Sequence, residues 1–446
     1  MKKHRLRGIA TGVVALVVVA SCSSSKSAKA PPLGGTQTTS SVSANAGLPD
    51  VNQNFKASGP LTASAPGVTP TTIKLGYITS ETGIASSSFK GGEQGAQARI
   101  DLQNAQGGID GRQIELVTAD DGTVGNKSAA QDLVENKGVF GVIDYSAFVV
   151  SAAPYLNQGG VPVTGGGFDG PEWGEQPNTN MFTYAPPTYS QIDGKYYNYD
   201  GIVRYLKSIG VTKLAALSYG ISQSSIQSNK STLQMAAALG ISKCYENDAV
   251  AFGQTSFTTE ALAIQQKGCD GVIATMVDAS DVGLSASLKQ AGVTAKQFFY
   301  TGYDQGVLDD PNASTALDGG YFVGTPNFTD PSAGTQGMLN AFAKYAPSIK
   351  GIPSLGVYGS YWATDVMIHG LEVAGENPTR PSFVTNLRAV SGYQGHGIFA
   401  PLGVSFTGFA TPAMFAPQAC SDYMELKGGK YVTAAKQVCG QLVATS

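Results

Sequence analysis

Two neighbouring stretches decide the fold: IKLGYI at residues 73–78 and GGEQGAQARIDLQNAQGGIDGRQIELVTADD at residues 91–121. In the first stretch apolar side chains occupy alternate positions, which is typical of a β-strand. The second stretch begins with a helical pattern over 92–106 that stops at Gly107-Gly108, since glycine is favoured just after a helix end. A second strand is predicted over 113–118. Together the two stretches predict a β-α-β unit.

The same alternation continues through the rest of the chain. Further predicted elements are a helix from Asn126, a strand over 139–143, a helix over 151–158, a strand over 161–164, and then, after Pro186-Pro187, a helix ending at Ser208, strands over 213–217, 243–249, 271–275 and 297–300, and helices over 224–239, 257–267 and 355–373. Successive β-α-β units with short connections form parallel sheets covered by helices. We therefore predict an α/β fold with two doubly wound parallel-sheet lobes, whose ligands bind beyond the carboxyl ends of the strands.

The N-terminus resembles a bacterial lipoprotein signal. A basic start precedes a short apolar run over 9–20, and VASC at 19–22 resembles a lipobox. We predict a signal peptide over 1–21 and a lipid on the Cys22 thiol, which would anchor the protein on the extracytoplasmic face of the cell membrane. The alternative is an ordinary cleaved signal with a chance cysteine. Residues 22–70 are rich in Ser, Ala, Thr, Gly and Pro, so we predict a disordered linker there.

Composition and motifs exclude several classes of function. The chain has 29 Lys and Arg against 32 Asp and Glu, so it offers no basic field for nucleic acid. A phosphate-binding loop, zinc-type cysteine spacing and a nucleophile elbow are absent from the sequence. Asp120-Asp121 is an acidic pair without a suitably placed His or Cys, which favours a turn over catalysis. We therefore predict no enzyme activity, metal or cofactor.

The run IKLGYITSETG at 73–83, with NAQGGIDGRQIELVTADD at 104–121, resembles the solute-binding proteins of branched-chain amino acid ABC transporters. Their type I periplasmic-binding-protein fold implies two interleaved lobes joined by a three-strand hinge. The resemblance divides the chain into residues 71–186 and 327–392 for lobe 1, and residues 187–326 and 393–446 for lobe 2. It also implies a monomer that closes around a small solute and delivers it to ABC permease subunits.

The same resemblance implies a set of ligand-binding residues. Ser146 would bind the carboxylate of an amino acid, and Asp304 would bind its ammonium group by a charge-assisted hydrogen bond. The remaining positions carried over are Phe89 as a pocket wall, Gly167 as a backbone group, and Asp169, Gln223 and Asp278. For several of these, a structural role is the alternative: a helix cap for Ser146, a solvated turn for Asp304, an Asx turn for Asp169 and core packing for Phe89.

Three of these positions depart from the family pattern. Asp169 replaces a Ser or Thr, while Gln223 and Asp278 lie near family tyrosines. A carboxylate at Asp169 would repel a ligand carboxylate. The acidic set of Asp169, Asp278 and Asp304 therefore suits a ligand with more positive charge or more hydrogen-bond donors than leucine, such as an amide, a polyamine-like compound or a small polyol.

Four cysteines remain after Cys22, and an even number in an exported chain favours disulfides. Three pairings are possible. Cys244 begins one predicted strand and Cys269 precedes its neighbour, so we predict Cys244–Cys269 and Cys420–Cys439.

The function these patterns favour is the substrate-binding protein of an ABC importer, capturing an amino acid or amide-like solute. A receptor of the same fold that signals to a regulator is the alternative.

Overall fold

The β-α-β unit predicted at residues 73–118 forms one edge of a five-stranded sheet. In the computed structural model, which describes residues 47–51 and 57–446, this sheet is parallel throughout and has the order β2-β1-β3-β4-β5. Its strands are β1 Thr72–Thr79, β2 Gln113–Asp120, β3 Val142–Tyr145, β4 Val163–Gly165 and β5 Met181–Thr183. The helices between them are α1 Ser86–Phe89, α2 Gly92–Ala105, α3 Asn126–Gln131, continued by a π-helical turn, and α4 Ala153–Gln158.

The glycines that end α2 are there for a conformational reason. Gly108 has a φ of +71°, and its N–H donates to the carbonyl of Gln103 at 2.9 Å. A Cβ at this position would lie 1.8 Å from the carbonyl oxygen of Arg112. Only glycine adopts this turn without strain, so the helix stops where the sequence predicts and the chain enters β2.

A second sheet of eight strands follows, with the order β6-β13-β12-β11-β10-β9-β7-β8. Its strands are β6 Tyr196–Tyr199, β7 Lys213–Tyr219, β8 Ser242–Val250, β9 Gly271–Thr275, β10 Lys296–Phe299, β11 Tyr321–Val323, β12 Gln418–Leu426 and β13 Tyr431–Thr445. Its helices are α5 Gly201–Ser208, α6 Gln223–Ala238, α7 Thr258–Lys267, α8 Asp278–Gln290, α9 Gln305–Asp309 and α10 Pro311–Leu317. Within this part of the chain the α/β prediction is confirmed.

The second sheet differs from the prediction at one edge. Strands β7 to β11 are parallel, but β12, β13 and β6 extend the sheet in antiparallel fashion. The predicted helix from Pro187 to Ser208 is therefore wrong in its first half. Residues 196–199 form β6, because they pair with 442–445 at the end of the chain, and the helix begins only at Gly201.

The chain returns to the first sheet between β11 and β12. There it forms α11 Ala333–Tyr345, α12 Leu355–Ala374 and α13 Arg380–Leu387. Helix α12 packs on α2, β3 and β4, and its Val366 and Leu371 side chains are fully buried in the core of that sheet. Phe406 is buried in the same core, although the sequence boundary at 392 predicts that residues from 393 belong with the other sheet. The chain passes between the two sheets three times.

The signal peptide, Cys22 and much of the predicted linker lie outside the described residues. The described part of the linker corrects the prediction of a disordered segment reaching residue 70. The Arg112 guanidinium donates to the carbonyls of Thr62 at 3.2 Å and Thr69 at 2.7 Å, which fastens this segment to the body. These hydrogen bonds from a side chain to backbone carbonyls hold a stretch that has few apolar side chains. Within the described residues, no helix is both long and apolar enough to cross a bilayer.

Candidate functional site

Most of the predicted ligand residues follow strands of the two sheets. Ser146 follows β3, and Gly167 and Asp169 follow β4. In the second sheet Asp278 is the first residue of α8, after β9, and Asp304 immediately precedes α9, after β10. These positions are the carboxyl ends of parallel strands, where α/β sheets bind ligands.

The two carboxyl edges touch each other. The backbone N–H of Asp278 in the second lobe donates to the Ser88 hydroxyl of α1 in the first lobe, at 3.3 Å. The Phe148 and Phe252 rings meet across the same boundary with centroids 5.3 Å apart, and Phe252 packs against both cores. The structure therefore has the cleft between the lobes in a closed arrangement.

Asp278 and Asp304 form a buried acidic pair on the second-lobe side of this cleft. Asp278 is 8% exposed and Asp304 is 5% exposed. Burial and the neighbouring Asp304 carboxyl together raise the pKa of Asp278 to about 7, against hydrogen bonds from Thr301 and Ser88. Burial also raises the pKa of Asp304. The charged group acting most strongly on Asp278 is thus another carboxylate, so the site favours a positive charge.

The Asp304 and Asp278 carboxyl groups differ in their hydrogen-bond partners. Asp304 Oδ1 accepts the backbone N–H of Val307 at 3.0 Å and caps α9. Asp278 Oδ1 is buried and has no hydrogen-bond partner among the described residues. Buried polar atoms are normally paired, so this oxygen is open to a donor from a ligand. The structure gives Asp304 a capping role, in place of the solvated turn that was the alternative.

Tyrosines surround the acidic pair, and the sequence did not single them out for this site. Tyr358 of α12 reaches the pair from the first lobe: burial raises its pKa, and Tyr303, Asp278 and Asp304 raise it further. Burial also raises the pKa of Tyr431, which donates its hydroxyl to the carbonyl of Gly302. These phenols remain neutral and line the acidic pair with hydroxyl groups. No local pattern marks Tyr358, since it lies on an apolar helix.

Phe89 belongs to an aromatic cluster on the first-lobe side. Its ring centroid lies 6.0 Å from those of Tyr145 and Phe168, and Phe89 itself is 4% exposed. The Tyr145 and Tyr184 hydroxyls lie 2.6 Å apart. Phe89 is therefore packed in the core beside Ser88, which touches Asp278. Sequence reasoning missed Tyr145, Phe168 and Tyr184, although two of them directly flank predicted site residues.

Gly167 has a backbone conformation that requires glycine. Its φ is +79°, and a Cβ would lie 2.3 Å from the Thr183 hydroxyl oxygen at the end of β5. The glycine lets the β4 loop approach β5 closely. Gly167 therefore packs against β5 of its own lobe.

Ser146 donates its hydroxyl hydrogen within the first lobe. The acceptor is Asp121, a buried carboxylate that also accepts from the Ser80 hydroxyl at 2.9 Å and the Thr123 backbone at 2.8 Å. A serine that donates to a ligand carboxylate needs this hydrogen, so Ser146 would first have to release Asp121. The structure gives it neither a free donor nor the helix-capping role that was the alternative.

Asp169 fastens two loops of the first lobe. Its oxygens accept from the indole N–H of Trp173 at 2.8 Å and from the backbone N–H of Val149 at 3.1 Å. Burial raises the pKa of Asp169 to about 7, and these hydrogen bonds oppose the rise. Val149 lies 20 residues away along the chain and Trp173 four residues away, so an Asx turn to the next residues does not describe the role of Asp169.

Gln223 is the first residue of α6, after β7, and its side chain is exposed. It lies at the surface of the second lobe, outside the buried part of the cleft.

The cysteines form two disulfides in the second lobe. Cys244 is joined to Cys269, and Cys420 to Cys439, which are the pairs chosen from the sequence. The first joins β8 to the turn before β9, and the second joins β12 to β13. Among the described residues, His, Cys, Asp and Glu side chains form no group of three that could hold a metal ion.

Comparison with known proteins gives the family. Residues 72–427 match the family model described as periplasmic binding protein. A search of curated proteins finds no match. Similar solved structures include the branched-chain amino acid transporter substrate-binding protein LivJ from Streptococcus pneumoniae in complex with isoleucine, with 19% identity, a TM-score of 0.63 and coverage of 84% of this chain and 100% of that one.

Two further structures are similar to the same extent. A fatty acid ABC transporter substrate-binding protein from Thermomonospora curvata has 18% identity and a TM-score of 0.66, covering 86% of this chain and 96% of that one. An ABC transporter solute-binding protein from R. palustris in complex with benzoate has 15% identity and a TM-score of 0.64, covering 84% and 98%. At sequence identities of 15–19%, the structural similarity establishes the fold alone.

Two sheets with a cleft between their carboxyl edges define a two-lobed binding protein of the type found in ABC transporters. Because the family model matches most of its length, the chain belongs to the periplasmic binding protein family, whose members are extracytoplasmic.

Proposed function

We propose that this protein is the substrate-binding component of an ABC importer, which captures a small solute between its lobes and delivers it unaltered to permease subunits. The observation that carries the proposal is the buried Asp278–Asp304 pair at the carboxyl edge of the second lobe, in contact with Ser88 of the first. A ligand that touches both lobes stabilises the closed form, and a permease distinguishes the closed form from the open one.

The solute we propose carries an ammonium, amide or other donor-rich group and lacks an exposed carboxylate. Asp278 Oδ1 supplies an unpaired buried acceptor, and Asp304 supplies a second carboxyl close to it. On the first-lobe side, Ser146 and Asp169 are engaged with groups of their own lobe. An anionic ligand such as benzoate would face the Asp278 and Asp304 carboxyl groups, and the like charges would repel each other.

We also propose that the protein is a monomer tethered to the outer face of the cell membrane through a lipid on Cys22. The sequence VASC at 19–22 supports this tether. Replacement of Cys22 by alanine should move the protein from the membrane fraction to the soluble extracytoplasmic fraction. An unchanged membrane fraction would refute the lipid tether and leave the cleft assignment untouched.

A thermal-shift screen with matched ligand pairs tests the proposed solute class. Each pair keeps the apolar part and changes only the charged group: isoleucine with isoleucinamide, benzoate with benzylamine, and octanoate with octylamine. A ligand at 100 times its dissociation constant stabilises the native state by about 2.7 kcal/mol. We expect the amide or amine of a pair to give the larger rise in melting temperature. Consistently larger rises with the carboxylates would contradict the proposed solute class.

A further inference from the structure

The second lobe contains a cavity of about 190 Å³ that is separate from the acidic cleft residues. It lies between α5, α6 and the β12–β13 hairpin. Thr188 and Tyr189, from the first connection between the lobes, line one side, and Tyr300 at the end of β10 lines another. Neither Asp278 nor Asp304 lines it.

The lining is uncharged but rich in hydroxyl groups. Ser228 and Thr232 contribute hydroxyls from α6, and Tyr189 and Tyr300 contribute phenols. The Ser228 hydroxyl also accepts from the Thr275 hydroxyl at 3.1 Å. Burial raises the pKa of Tyr189 to about 12, so its phenol stays protonated and both donates and accepts. No Asp, Glu, Lys or Arg side chain is among the lining residues. A charged ligand would therefore lose its hydration without gaining a counter-charge.

Helix α6 buries polar residues where a core helix normally buries apolar ones. Ser224, Ser228 and Thr232 repeat every four residues along one side of the helix, and all three are buried. Buried hydroxyls are costly unless they are hydrogen-bonded. A polar stripe on the inner side of the helix therefore indicates a polar interior beside it, where the cavity lies.

Apolar and aromatic groups complete the lining of the cavity. Met235 and Val203 line it from the two helices, and Tyr423 of β12 lines it with a ring that stacks on Tyr205 at 4.4 Å. On the hairpin side, Ser421 and its neighbours flank the Cys420–Cys439 disulfide that joins β12 to β13. The cavity thus combines aromatic faces with fixed hydroxyl groups, as small-molecule sites do.

We propose that this cavity is a second small-molecule site, which binds a neutral, hydroxyl-bearing ring compound of cyclic-polyol or monosaccharide size. The uncharged lining excludes ions, the hydroxyl groups match a ligand with several hydroxyls, and the tyrosine faces pack against its C–H surface. Its volume lies below the roughly 300–1,000 Å³ of pockets for drug-sized ligands, so the ligand is small.

Saturation-transfer NMR of the full chain with myo-inositol and D-glucose tests the proposal. We expect both probes, or one of them, to receive saturation from the wild-type protein. Ser228→Leu fills the cavity and should abolish the transfer, whereas Ser228→Ala removes one hydrogen-bond partner and should weaken binding about fivefold. Ser231→Ala is the matched control, because Ser231 lies on the same helix and bonds to Thr445 instead.

Asp304→Asn separates this site from the cleft. It should leave probe binding unchanged, since Asp304 does not line the cavity. Absence of transfer from the wild-type chain to both probes would overturn the proposal, as would transfer that persists in Ser228→Leu or is lost in Asp304→Asn. Melting temperatures of all variants identify any that fail to fold, and in that case Ser228→Ala decides.

Discussion

Replacement of Asp278 by asparagine should stabilise the ligand-free protein at neutral pH. The Asp278 carboxyl is buried next to Asp304, and its pKa is raised to about 7, whereas an aspartate in an unfolded chain titrates near about 3.9. Between these two pH values the native state holds a proton that the unfolded state has lost. The free energy of unfolding therefore falls as the pH rises through this range.

The size of the effect follows from the difference between the two pKa values. A difference of about 3 corresponds to about 4 kcal/mol at pH 8, which is an upper value because Asp278 and Asp304 titrate together. Asparagine removes the titration at this position. The variant and the wild type should have equal stability near pH 4 and should diverge by up to about 4 kcal/mol above pH 7, with the variant the more stable.

Urea unfolding followed by circular dichroism between pH 4 and pH 8 measures this difference. Asp193→Asn is the matched control, because Asp193 is exposed, and its curve should follow the wild type. The stabilised Asp278→Asn variant should also lose affinity for the amine or amide ligand, as expected where a binding site is strained. If the free energies of unfolding of the wild type and Asp278→Asn differ by the same amount at every pH, the reasoning about this carboxyl is refuted.

Three further changes have expected outcomes. Asp304→Asn keeps the cap of α9 and should weaken binding of a cationic ligand about 10- to 100-fold with little loss of stability. Asp304→Ala should weaken binding as well and should also lower the free energy of unfolding in urea by about 1 kcal/mol. Equal affinities of the wild type and these variants in calorimetry would refute the role of this carboxyl. Replacement of Cys420 and Cys439 by serine should lower the free energy of unfolding by about 3 kcal/mol, and an unchanged urea midpoint would contradict this. Arg99→Met should lower the free energy of unfolding by about 3–5 kcal/mol, because it leaves Asp365 buried without its ion-pair partner at 2.7 Å. The double variant Arg99→Met with Asp365→Leu should recover much of this stability. No recovery in the double variant would contradict the role of the ion pair.

Local pattern was sufficient for most parallel strands of both sheets, but it did not predict the three-residue strands β5 and β11. Strand β1 and helix α2 were predicted to within a residue, because alternating apolar residues and a terminal glycine pair act over short distances. Strand β6 was not predicted, since Tyr196 pairs with Thr445 across most of the chain and its tyrosines carry no sign of that partner. The same holds for the antiparallel edge as a whole.

For the candidate site, the sequence predicted where the residues lie in the fold better than it predicted which hydrogen bonds they form. It placed Ser146 and Asp169 after the correct strands, because the order of strands and loops is readable from the chain. It missed that Ser146 donates to Asp121 and that Asp169 binds Trp173, since such hydrogen bonds depend on how loops fold against each other. Tyr358 was missed for the same reason, as it reaches the acidic pair from the other lobe.

The most direct test of solute capture is a crystal structure of the protein with the strongest ligand from the matched-pair screen. We expect the ligand between the two lobes, with an ammonium or amide donor within hydrogen-bond distance of Asp278 or Asp304. Ligand density elsewhere in the molecule, or a carboxylate facing these two residues, would contradict the account.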